Sequence, residues 1–240
     1  YSQQEVTLTT FGGNGEGHRI VYSTATHQEI FDYVIKGFNS AWKYRFPTFI
    51  MGDGYQAKMR EPLTIYEPRE RGIEMVAPYP LVGKPGHIGE NRDPAHLCNI
   101  YSLEEELYEV VMRHAADYER IIPEIIEYEE KECDDADIIV VSHGVVSRAA
   151  DDAVKALRAQ GIKAGYFRPI TLRPFPQQQL RDAIAKSGAK KMLVAESAYG
   201  QLYRLIRQEI YGETIPIEGL FMPGVGIVDY DIITKVKGII

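Results

Sequence analysis

The first regular pattern of apolar and polar positions lies between residues 19 and 53. "RIVYS" is short, apolar and β-branched, which predicts a strand. A helical period follows in "TATHQEIFDYVIKGFNSAWKYR", where Thr26 and Glu29 have the spacing of a capping box. Apolar residues recur at every fourth position of this helix: Ile30, Val34, Phe38 and Trp42. "TFIMGDG" predicts a buried strand that ends at a glycine turn, so a β-α-β unit with a parallel strand pair is expected.

Periodicity is lost between Arg69 and about Ser102. "PYPLVGKPGHIGENRDP" is rich in proline and glycine and has no apolar period, which is typical of a connector. "SLEEELYEVVMRHAADYERIIPEIIEYEE" then resumes a helical pattern. Ser102 and Glu105 predict a second capping box, and Pro123 predicts a break or kink.

The last third of the chain is the most regular. "ADIIVVSHG" predicts a buried strand closed by Gly144, and "SRAADDAVKALRAQG" predicts a helix with acids in its first turn that stops at Gly161. Strand and helix patterns then alternate through "IKAGYFRPI", "PQQQLRDAIAKSG", "KKMLVAES", "GQLYRLIRQEIYG", "IPIEGLF" and "DYDIITKVKG". This alternation predicts a mostly parallel sheet with helices on both faces.

A proline-rich stretch, "FRPITLRPFP", interrupts this alternation at residues 167–176. Because proline fixes φ and has no N–H, Pro169 and Pro174 are expected to end a strand. We expect Arg168 and Arg173 to project from the rigid surface that results. A rigid turn alone and a contact with another subunit remain equal alternatives for this stretch.

Composition identifies an ordinary globular protein with one large core or two modest ones. The chain has 240 residues, of which 45% are hydrophobic and 25% charged, and a net charge of −7. Its basic residues form no run, which argues against nucleic-acid binding. No apolar stretch approaches the roughly 20 residues that span a bilayer. The N-terminus shows no export signal, so a cytoplasmic location is expected.

Cysteine and histidine spacing argues against a metal site on this chain. Cys98 and Cys133 are too few for an iron–sulfur cluster or a structural zinc site. The histidines show no spacing that puts two on one helical face, so structural roles are favoured for all of them: His18, His27, His87, His96, His114 and His143.

Two glycine-containing loops resemble phosphate-binding loops only in composition. "GGNGEG" at residues 12–17 is followed by a strand rather than a helix, so a glycine turn is the favoured interpretation. "SHGVV" at 142–146 lies between a strand and a helix but lacks a second glycine or a lysine, which favours a tight connector.

Long stretches of the chain resemble one enzyme family. "DADIIVVSHGVVSRAADDAVKALRAQGIKAGYFRPITLRPFP", "VAESAYGQLYRLIRQEI" and "PGVGI" are similar to the transketolase-C-terminal-like domain in the alpha subunit of 2-oxoacid:ferredoxin oxidoreductases. "SQQEVTLTTFGGNGEGHRIVYS", "FNSAWKYRFPTFIMGDGYQAKMREP" and "NIYSLEEELYE" resemble the same subunit, in the same order.

The resemblance implies an α/β fold in three parts. Residues 1–78 would be the C-terminal part of a pyrimidine-binding domain, 79–130 a connector and helical segment, and 131–240 the transketolase C-terminal-like domain. In this family the C-terminal domain is expected to have no chemistry of its own. The enzyme decarboxylates a 2-oxoacid with thiamine diphosphate, forms an acyl-CoA with coenzyme A and passes electrons to ferredoxin.

The resemblance also implies a division of labour between subunits. Thiamine diphosphate and Mg would be shared with a beta subunit, and iron–sulfur clusters would lie on partner subunits only. A gamma subunit and a ferredoxin-like subunit are further expected partners. Because apolar faces of residues 19–51 are expected to be incompletely covered, self-association or capture by the beta subunit is also predicted.

The family's principal catalytic residues lie in a segment with a Y-P-I-T-P-like loop and an Arg-Gly-Gly-Pro run. This chain starts at Tyr1, near the "SQ" element that follows that run, so no catalytic or cofactor-binding residue is assigned to it. Ser2 matches a family position near the substrate and is the candidate substrate-binding residue, with a frayed terminus as the alternative. Asp53 and Glu61 are the nearest acidic candidates for a ligand role, but solvated loop acids are favoured. The isolated chain is therefore predicted to be inactive.

Three functional interpretations remain. The first is an alpha-subunit portion of a 2-oxoacid:ferredoxin oxidoreductase; the second is a non-catalytic assembly module; the third is a nucleotide-binding α/β protein, which the glycine loops do not favour. Within the first, "SQQEV", "GDGYQAKMREP" and "NIYSLEEE" are more similar to the branched-chain (2-oxoisovalerate) type, with the 2-oxoglutarate type as the alternative.

Overall fold

The computed structural model describes residues 3–13, 15–78 and 100–240. Ser2, Cys98, His87 and His96 lie outside the described residues, as does most of the predicted connector. The helices are α1 (Val6–Phe11), α2 (His27–Tyr44), α3 (Glu104–Ile125), α4 (Val146–Ala159), α5 (Gln177–Ser187), α6 (Gln201–Glu209) and α7 (Asp229–Ile239). The strands are β1 (Ile20–Ser23), β2 (Thr48–Met51), β3 (Tyr128–Lys131), β4 (Ile138–Val141), β5 (Ala164–Pro169), β6 (Thr171–Arg173), β7 (Lys191–Glu196) and β8 (Ile217–Phe221). Short 3-10 helices occur at Gln56–Lys58 and Pro68–Arg71.

The N-terminal sheet has the strand order β2-β1-β6. The strands β1 and β2 are parallel and are joined by α2, so the predicted β-α-β unit is confirmed. The strand predicted at "TFIMGDG" forms as β2, but the prediction that this strand is buried is wrong. Only Met51 of β2 is buried, and Phe49 is 38% exposed. The physical reason is that β2 lies at the edge of this sheet, where one side of a strand lacks a neighbour.

The C-terminal sheet has the order β3-β5-β4-β7-β8. Neighbours from β5 to β8 are parallel, and β3 is antiparallel at the edge. Helices cover both faces. Ile139 and Val141 of β4 pack in the cluster that contains α5 and α6 residues, whereas Ile138 and Val140 pack in the cluster with α4 and α7 residues. The mostly parallel sheet with two covered faces is therefore confirmed.

The proline-rich stretch carries the chain from one sheet to the other. β5 ends at Pro169 and β6 ends one residue before Pro174, so the expected strand ends are confirmed. β6 then pairs antiparallel with β1 in the N-terminal sheet. The expectation that Arg168 projects from a surface is wrong, because its side chain is 3% exposed and pairs with Glu29 of α2. This side chain is buried because β5 and α2 come together between the two sheets.

Three predictions of helix ends require correction. The second capping box is not formed, because the N-cap of α3 is Leu103 and its side chain makes no capping hydrogen bond. Pro123 does not break α3, which continues to Ile125. The first turn of α4 contains no acid, because this helix begins at Val146 and its first acid, Asp151, comes in the second turn. At α2, Thr26 accepts a hydrogen bond from the Glu29 N–H as expected, but the Glu29 carboxylate accepts from the Ala25 N–H.

The apolar stripe of α2 faces outward over much of its length. Val34 is 40% and Phe38 60% exposed, whereas the fully buried positions of α2 are Gly37 and Ser40. A Cβ at Gly37 would come within 2.9 Å of the Ile50 side chain, so the small residue allows α2 to lie close to β2. Gly37 thus packs against β2, whereas the larger apolar side chains Val34 and Phe38 face outward. Incomplete covering of the apolar faces of residues 19–51 is thus confirmed.

Candidate functional site

The carboxyl ends of β1, β2 and β4 meet between the two sheets. In α/β sheets, ligand sites commonly form beyond the carboxyl ends of the strands. The residues that follow these three strands, together with the start of the chain, enclose a narrow space of about 10 Å³. This volume is about the room that one water molecule needs. We call this region the strand-end junction; its polar members are Gln3, Glu5, Ser23, Thr24, Asp53 and His143.

Gln3 connects the start of the chain to the C-terminal sheet. Its side-chain Nε2 donates to the His143 carbonyl at 2.7 Å, and its Oε1 accepts from the Ser197 N–H at 3.0 Å. Its own backbone N–H donates to the Ser197 carbonyl at 2.9 Å. Gln3 is 3% exposed, so these hydrogen bonds are shielded from water. The strand-end junction is therefore held together partly by one glutamine.

His143 is a neutral, buried member of the junction. Its Nδ1 lies 2.9 Å from the Ser23 Oγ, and its Nε2 has no hydrogen-bond partner within the described part of the chain. Burial lowers the pKa of His143 to about 3, and the positive charge of Arg168 acts in the same direction. The neutral imidazole of His143 bonds to Ser23, so it links the end of β1 to the loop that follows β4. The predicted structural role of His143 agrees with this geometry.

Asp53 and Glu61 are not the solvated loop acids that were predicted. Asp53 accepts from the Gln56 N–H at 2.9 Å through Oδ1 and from the Val145 N–H at 3.2 Å through Oδ2. Its negative charge thus lies at the N-terminus of α4, where a helix favours an anion. Glu61 accepts from the His27 N–H at 2.9 Å and pairs with Arg148 of α4. Both carboxylates therefore connect the N-terminal part of the chain to α4.

These contacts also shift the titration of Glu61. The hydrogen bond from the His27 N–H lowers the pKa of Glu61, and the Arg148 guanidinium lowers it further against the opposing effect of burial. Glu61 is thus a carboxylate, and it pairs with the Arg148 guanidinium in the C-terminal part of the chain. A charged carboxylate with two partners of its own is a structural link rather than a free ligand.

A bidentate ion pair lies behind the junction. Arg168 donates from Nη1 to Glu29 Oε1 at 2.9 Å and from Nη2 to Glu29 Oε2 at 2.5 Å. The same Nη2 donates to the Ser23 carbonyl at 3.1 Å. Charge-assisted, two-point contacts of this kind fix geometry strongly. β5 is thereby tied to both α2 and the end of β1.

Neither glycine loop provides an anion site. Arg19 donates from Nε to the Gly17 carbonyl at 3.0 Å and from Nη2 to the Gly12 carbonyl at 2.5 Å, so the described part of "GGNGEG" presents carbonyl oxygens to a cation. Gly144 has φ +57°, and a Cβ there would come within 2.7 Å of Gln3 Nε2. The helix start after Gly144 already receives the Asp53 carboxylate. Both loops have the structural roles that were favoured.

The described residues contain no group of three or more His, Cys, Asp or Glu side chains that could hold a metal ion, such as the Mg that the resemblance implies beside thiamine diphosphate. The space at the strand-end junction is far too small for a cofactor of that size. Cys133 is buried, and burial raises the pKa of its thiol to about 12, so this side chain is an unreactive thiol.

Comparisons with known proteins give consistent results along the chain. The family described as "Pyruvate flavodoxin/ferredoxin oxidoreductase, thiamine diP-bdg" matches residues 2–131. The family described as "Pyruvate:ferredoxin oxidoreductase core domain II" matches residues 136–231. Among the described residues, no helix is both long and apolar enough to cross a membrane.

Similar curated proteins are subunits of 2-oxoacid oxidoreductases. The 2-oxoglutarate synthase subunit KorA of Methanothermobacter thermautotrophicus is 29% identical over 238 residues, which cover 88% of this chain and 61% of that subunit. The ketoisovalerate oxidoreductase subunit VorB of the same organism is 33% identical over 198 residues, which cover 82% of this chain and 53% of that subunit. This chain therefore spans little more than half the length of these relatives.

Solved structures share the fold. The 2-oxoglutarate:ferredoxin oxidoreductase from Magnetococcus marinus superimposes with a TM-score of 0.78 at 20% identity, over 99% of this chain and 45% of that chain. A split-gene transketolase superimposes with a TM-score of 0.53 at 16% identity, over 98% of this chain and 60% of that chain. Because the first family match covers more than half of the sequence, the chain belongs to the pyruvate flavodoxin/ferredoxin oxidoreductase family.

Proposed function

We propose that this chain is the alpha-subunit portion of a thiamine-diphosphate-dependent 2-oxoacid:ferredoxin oxidoreductase. The reaction is the oxidative decarboxylation of a 2-oxoacid with coenzyme A to an acyl-CoA and CO₂, with the electrons passed to ferredoxin. The observation that carries the proposal is that both family domains match in order, at residues 2–131 and 136–231. Thiamine diphosphate supplies the carbon–carbon cleavage chemistry when it is bound.

The cofactors and partners of the proposed enzyme are divided among subunits. A beta subunit shares thiamine diphosphate and Mg with this subunit, and iron–sulfur clusters lie on partner subunits. A gamma subunit and a ferredoxin-like subunit complete the complex, which works in the cytoplasm. Ser2 is the proposed substrate-side residue of this chain.

The proposed substrate is a branched-chain 2-oxoacid such as 2-oxoisovalerate. In support, the ketoisovalerate oxidoreductase VorB subunits of two Methanothermobacter species are 33% and 34% identical to this chain. The 2-oxoglutarate synthase KorA subunits are nearly as similar, at 27–32%. A 2-oxoglutarate-specific subunit is therefore the alternative.

Reconstitution of the complete complex tests the proposal. We expect reduction of ferredoxin that depends on a 2-oxoacid, thiamine diphosphate, Mg and coenzyme A, with faster turnover of 2-oxoisovalerate than of 2-oxoglutarate. A clear preference for 2-oxoglutarate would overturn the substrate assignment alone. A complex that turns over no 2-oxoacid would overturn the activity.

The isolated chain provides a second measurement. We expect it to be inactive and to bind thiamine diphosphate with Mg only in the millimolar range or more weakly, about 4 kcal/mol of binding free energy. Calorimetric titration measures this affinity directly, and micromolar binding would contradict the proposed sharing of the cofactor.

A non-catalytic assembly module is the second candidate, which the outward-facing Val34 and Phe38 favour. Such side chains are typical of a surface that another protein covers. If a complex reconstituted without this chain turned over the 2-oxoacid at the full rate, the assembly role would replace the catalytic one.

A further inference from the structure

We propose that the cavity between the last turns of α3 and α6 and the first turn of α5 binds an α-amino acid with an apolar side chain. Arg173 would bind its carboxylate and Glu209 its ammonium group. The cavity has a volume of about 550 Å³, within the range typical of small-molecule sites. Gln178 and Gln208 on its wall are exposed, so a ligand can enter from the surface. The cavity has no part in the reaction proposed above, so the inference goes beyond the proposed function and does not rest on it.

Arg173 supplies a cation to this cavity. It is the last residue of β6, and its guanidinium carbon lies 4.8 Å from the centroid of the Phe11 ring. Its Nε is buried and has no hydrogen-bond partner among the described residues. Unlike Arg168, which pairs with Glu29, Arg173 also has no ion pair among those residues. Because a guanidinium presents its N–H groups as a fork that fits a carboxylate, a carboxylate of a ligand suits this position.

Glu209 supplies the opposite charge to the same cavity. It is the last residue of α6, and its carboxylate has no hydrogen-bond partner among the described residues. Burial raises the pKa of Glu209, and the positive charge of Arg173 opposes this effect. The two side chains are thus close enough to influence each other, yet within the described part of the chain they form no ion pair. Because a partly buried carboxylate without a partner is unfavourable, an ammonium group beside Glu209 would be stabilised.

A ligand that carries both charges satisfies both side chains at once. An α-amino acid has its carboxylate and its ammonium group on the same carbon atom, whereas a simple anion would leave Glu209 without a partner. The helix ends act in the same direction. Gln178 and Gln179 belong to the first turn of α5, which no side chain caps and which favours an anion. Glu209 ends α6, and the C-terminus of a helix favours a cation.

The remaining wall of the cavity favours an apolar side chain on the amino acid. Ile122 and Ile126 from the end of α3 and its C-cap line the cavity together with Leu172 and Phe175. The Gln179 Oε1 is buried without a hydrogen-bond partner among the described residues, so it can accept a further hydrogen bond from the ammonium group. Apolar walls with a few polar groups that fix orientation are typical of small-molecule sites. A charged amino acid side chain would have no partner against these isoleucines.

The first test titrates L-leucine calorimetrically into the whole chain of 240 residues. We expect a dissociation constant of about 1 mM or lower. Isocaproate lacks the ammonium group of leucine, and isoamylamine lacks its carboxylate. Each should bind at least about tenfold more weakly, because it leaves one of the two charges of the site without a partner. Absence of L-leucine binding at about 10 mM, or equal binding of either analogue, would overturn the inference.

Glu209→Gln tests the site from the side of the protein. This change keeps the volume of the side chain and removes only its negative charge. Binding of L-leucine should weaken at least about tenfold, whereas binding of isocaproate should stay the same. Glu213→Gln is the matched control, because Glu213 also follows the end of α6 but pairs with Arg181 outside the cavity. This control should bind L-leucine as tightly as the parent.

Arg173→Gln provides the complementary measurement. It should weaken L-leucine at least about tenfold and leave isoamylamine unchanged. Circular dichroism shows whether this variant folds; if it does not, Glu209→Gln and the two analogues still decide. Unchanged L-leucine binding in Glu209→Gln, or equal weakening in Glu213→Gln, would overturn the inference. Turnover of a 2-oxoacid by the reconstituted complex is a separate readout, so the proposed function stands or fails independently.

Discussion

The two sheets of this protein reach their stability in different ways. All four residues of β4 in the C-terminal sheet are fully buried, and that sheet takes its five strands from the continuous stretch between residues 128 and 221. The N-terminal sheet has three strands, and one of them, β6, belongs to that same later stretch of chain. The N-terminal sheet therefore takes one of its strands from the later stretch of the chain, whereas the C-terminal sheet takes no strand from residues 1–127.

The packing shows the same dependence. Val6, Val21 and Met51 from the N-terminal part lie in one buried cluster with Leu172, Phe175 and other residues of the C-terminal part. A smaller cluster around Ile20 and Tyr22 is completed by three residues of α3. The two sheets thus share a core, and buried polar contacts at the strand-end junction set their relative position.

The largest expected effect follows from separating the two parts. Expressed alone, residues 128–240 should unfold cooperatively in urea, because their five-stranded sheet remains complete and most of the residues in the two clusters that cover its faces are retained. Residues 1–127 alone should show no cooperative transition, because they lose β6 and most of the shared cluster. Circular dichroism during urea titration measures both, with the whole chain as the reference. A cooperative transition in residues 1–127 would show that the proposed dependence is wrong.

Breaking the bidentate pair should have the next largest effect. Glu29→Ala removes the bidentate partner of the buried Arg168 guanidinium and leaves it the Glu129 carboxylate at 3.5 Å. Breaking a buried pair typically costs about 3–5 kcal/mol of unfolding free energy, and we expect a loss near the lower value. Lys155→Ala is the matched control, because it also removes one partner of an ion pair, but Lys155 is 64% exposed. The control should lose at most about 1 kcal/mol. Equal losses in the two variants, measured by chemical denaturation, would contradict a special role for the buried pair.

The buried histidine should make stability depend on pH. Its ordinary pKa of 6.5 is lowered to about 3 in the folded protein, mainly by burial. The unfolded chain therefore takes up a proton near pH 6.5 that the folded chain does not take up until much lower pH. Stability linked to His143 is complete above 6.5 and is lost as the pH falls, by about 2 kcal/mol at about pH 5.

His143→Gln removes this titration while keeping a polar side chain near Ser23. The variant should lose about 2 kcal/mol less than the parent between about pH 7.5 and about pH 5. Urea denaturation at the two pH values provides the measurement. Identical losses in parent and variant would mean that His143 is not the neutral buried group described here.

Sequence patterns predicted the elements of the C-terminal part because their signals are local. Runs such as "ADIIVV" mark a single element and Gly161 follows the end of one, and the predicted alternation of strands and helices from β4 onward is observed. Two strands were not predicted: β6, and β3, which lies at the end of the segment predicted to be helical. The pairing of Tyr22 with Thr171 joins residues far apart in the chain, and no local pattern predicts it. The burial of Arg168 also depends on a distant contact, its ion pair with Glu29 of α2.

The candidate site was predictable only in part, for the same reason. Ser2 was selected through resemblance, and its place lies outside the described residues. Gln3, Ser23, Asp53 and His143 were not predicted as a group, because three separate strand ends bring them together. The rule that sites form at the carboxyl ends of parallel strands could have indicated this group once the parallel order was accepted. Likewise, the apolar period of α2 predicted a row of apolar side chains along one face of the helix. It did not predict whether that face points toward the core or outward.

The smallest expected effect on stability concerns that stripe. Val34 and Phe38 on α2 are 40% and 60% exposed, whereas Gly37 of the same helix packs against β2. We predict that this surface drives self-association of the chain, or its capture by the beta subunit. Burial of a phenylalanine contributes about 1.5–3 kcal/mol, so Phe38→Ser should raise the dissociation constant roughly 10- to 100-fold. Sedimentation at increasing concentration measures this change.

Phe38→Ser should leave the free energy of unfolding within about 0.5 kcal/mol of the parent, because the side chain is mainly exposed. Tyr211→Ser is the control: Tyr211 is an aromatic side chain 87% exposed after α6, outside residues 19–51, and its loss should not change association. A parent chain that stays strictly monomeric at high concentration and does not bind the beta subunit would refute the prediction. Equal weakening by both substitutions would instead show that association uses exposed aromatic side chains in general, rather than the outward-facing stripe of α2.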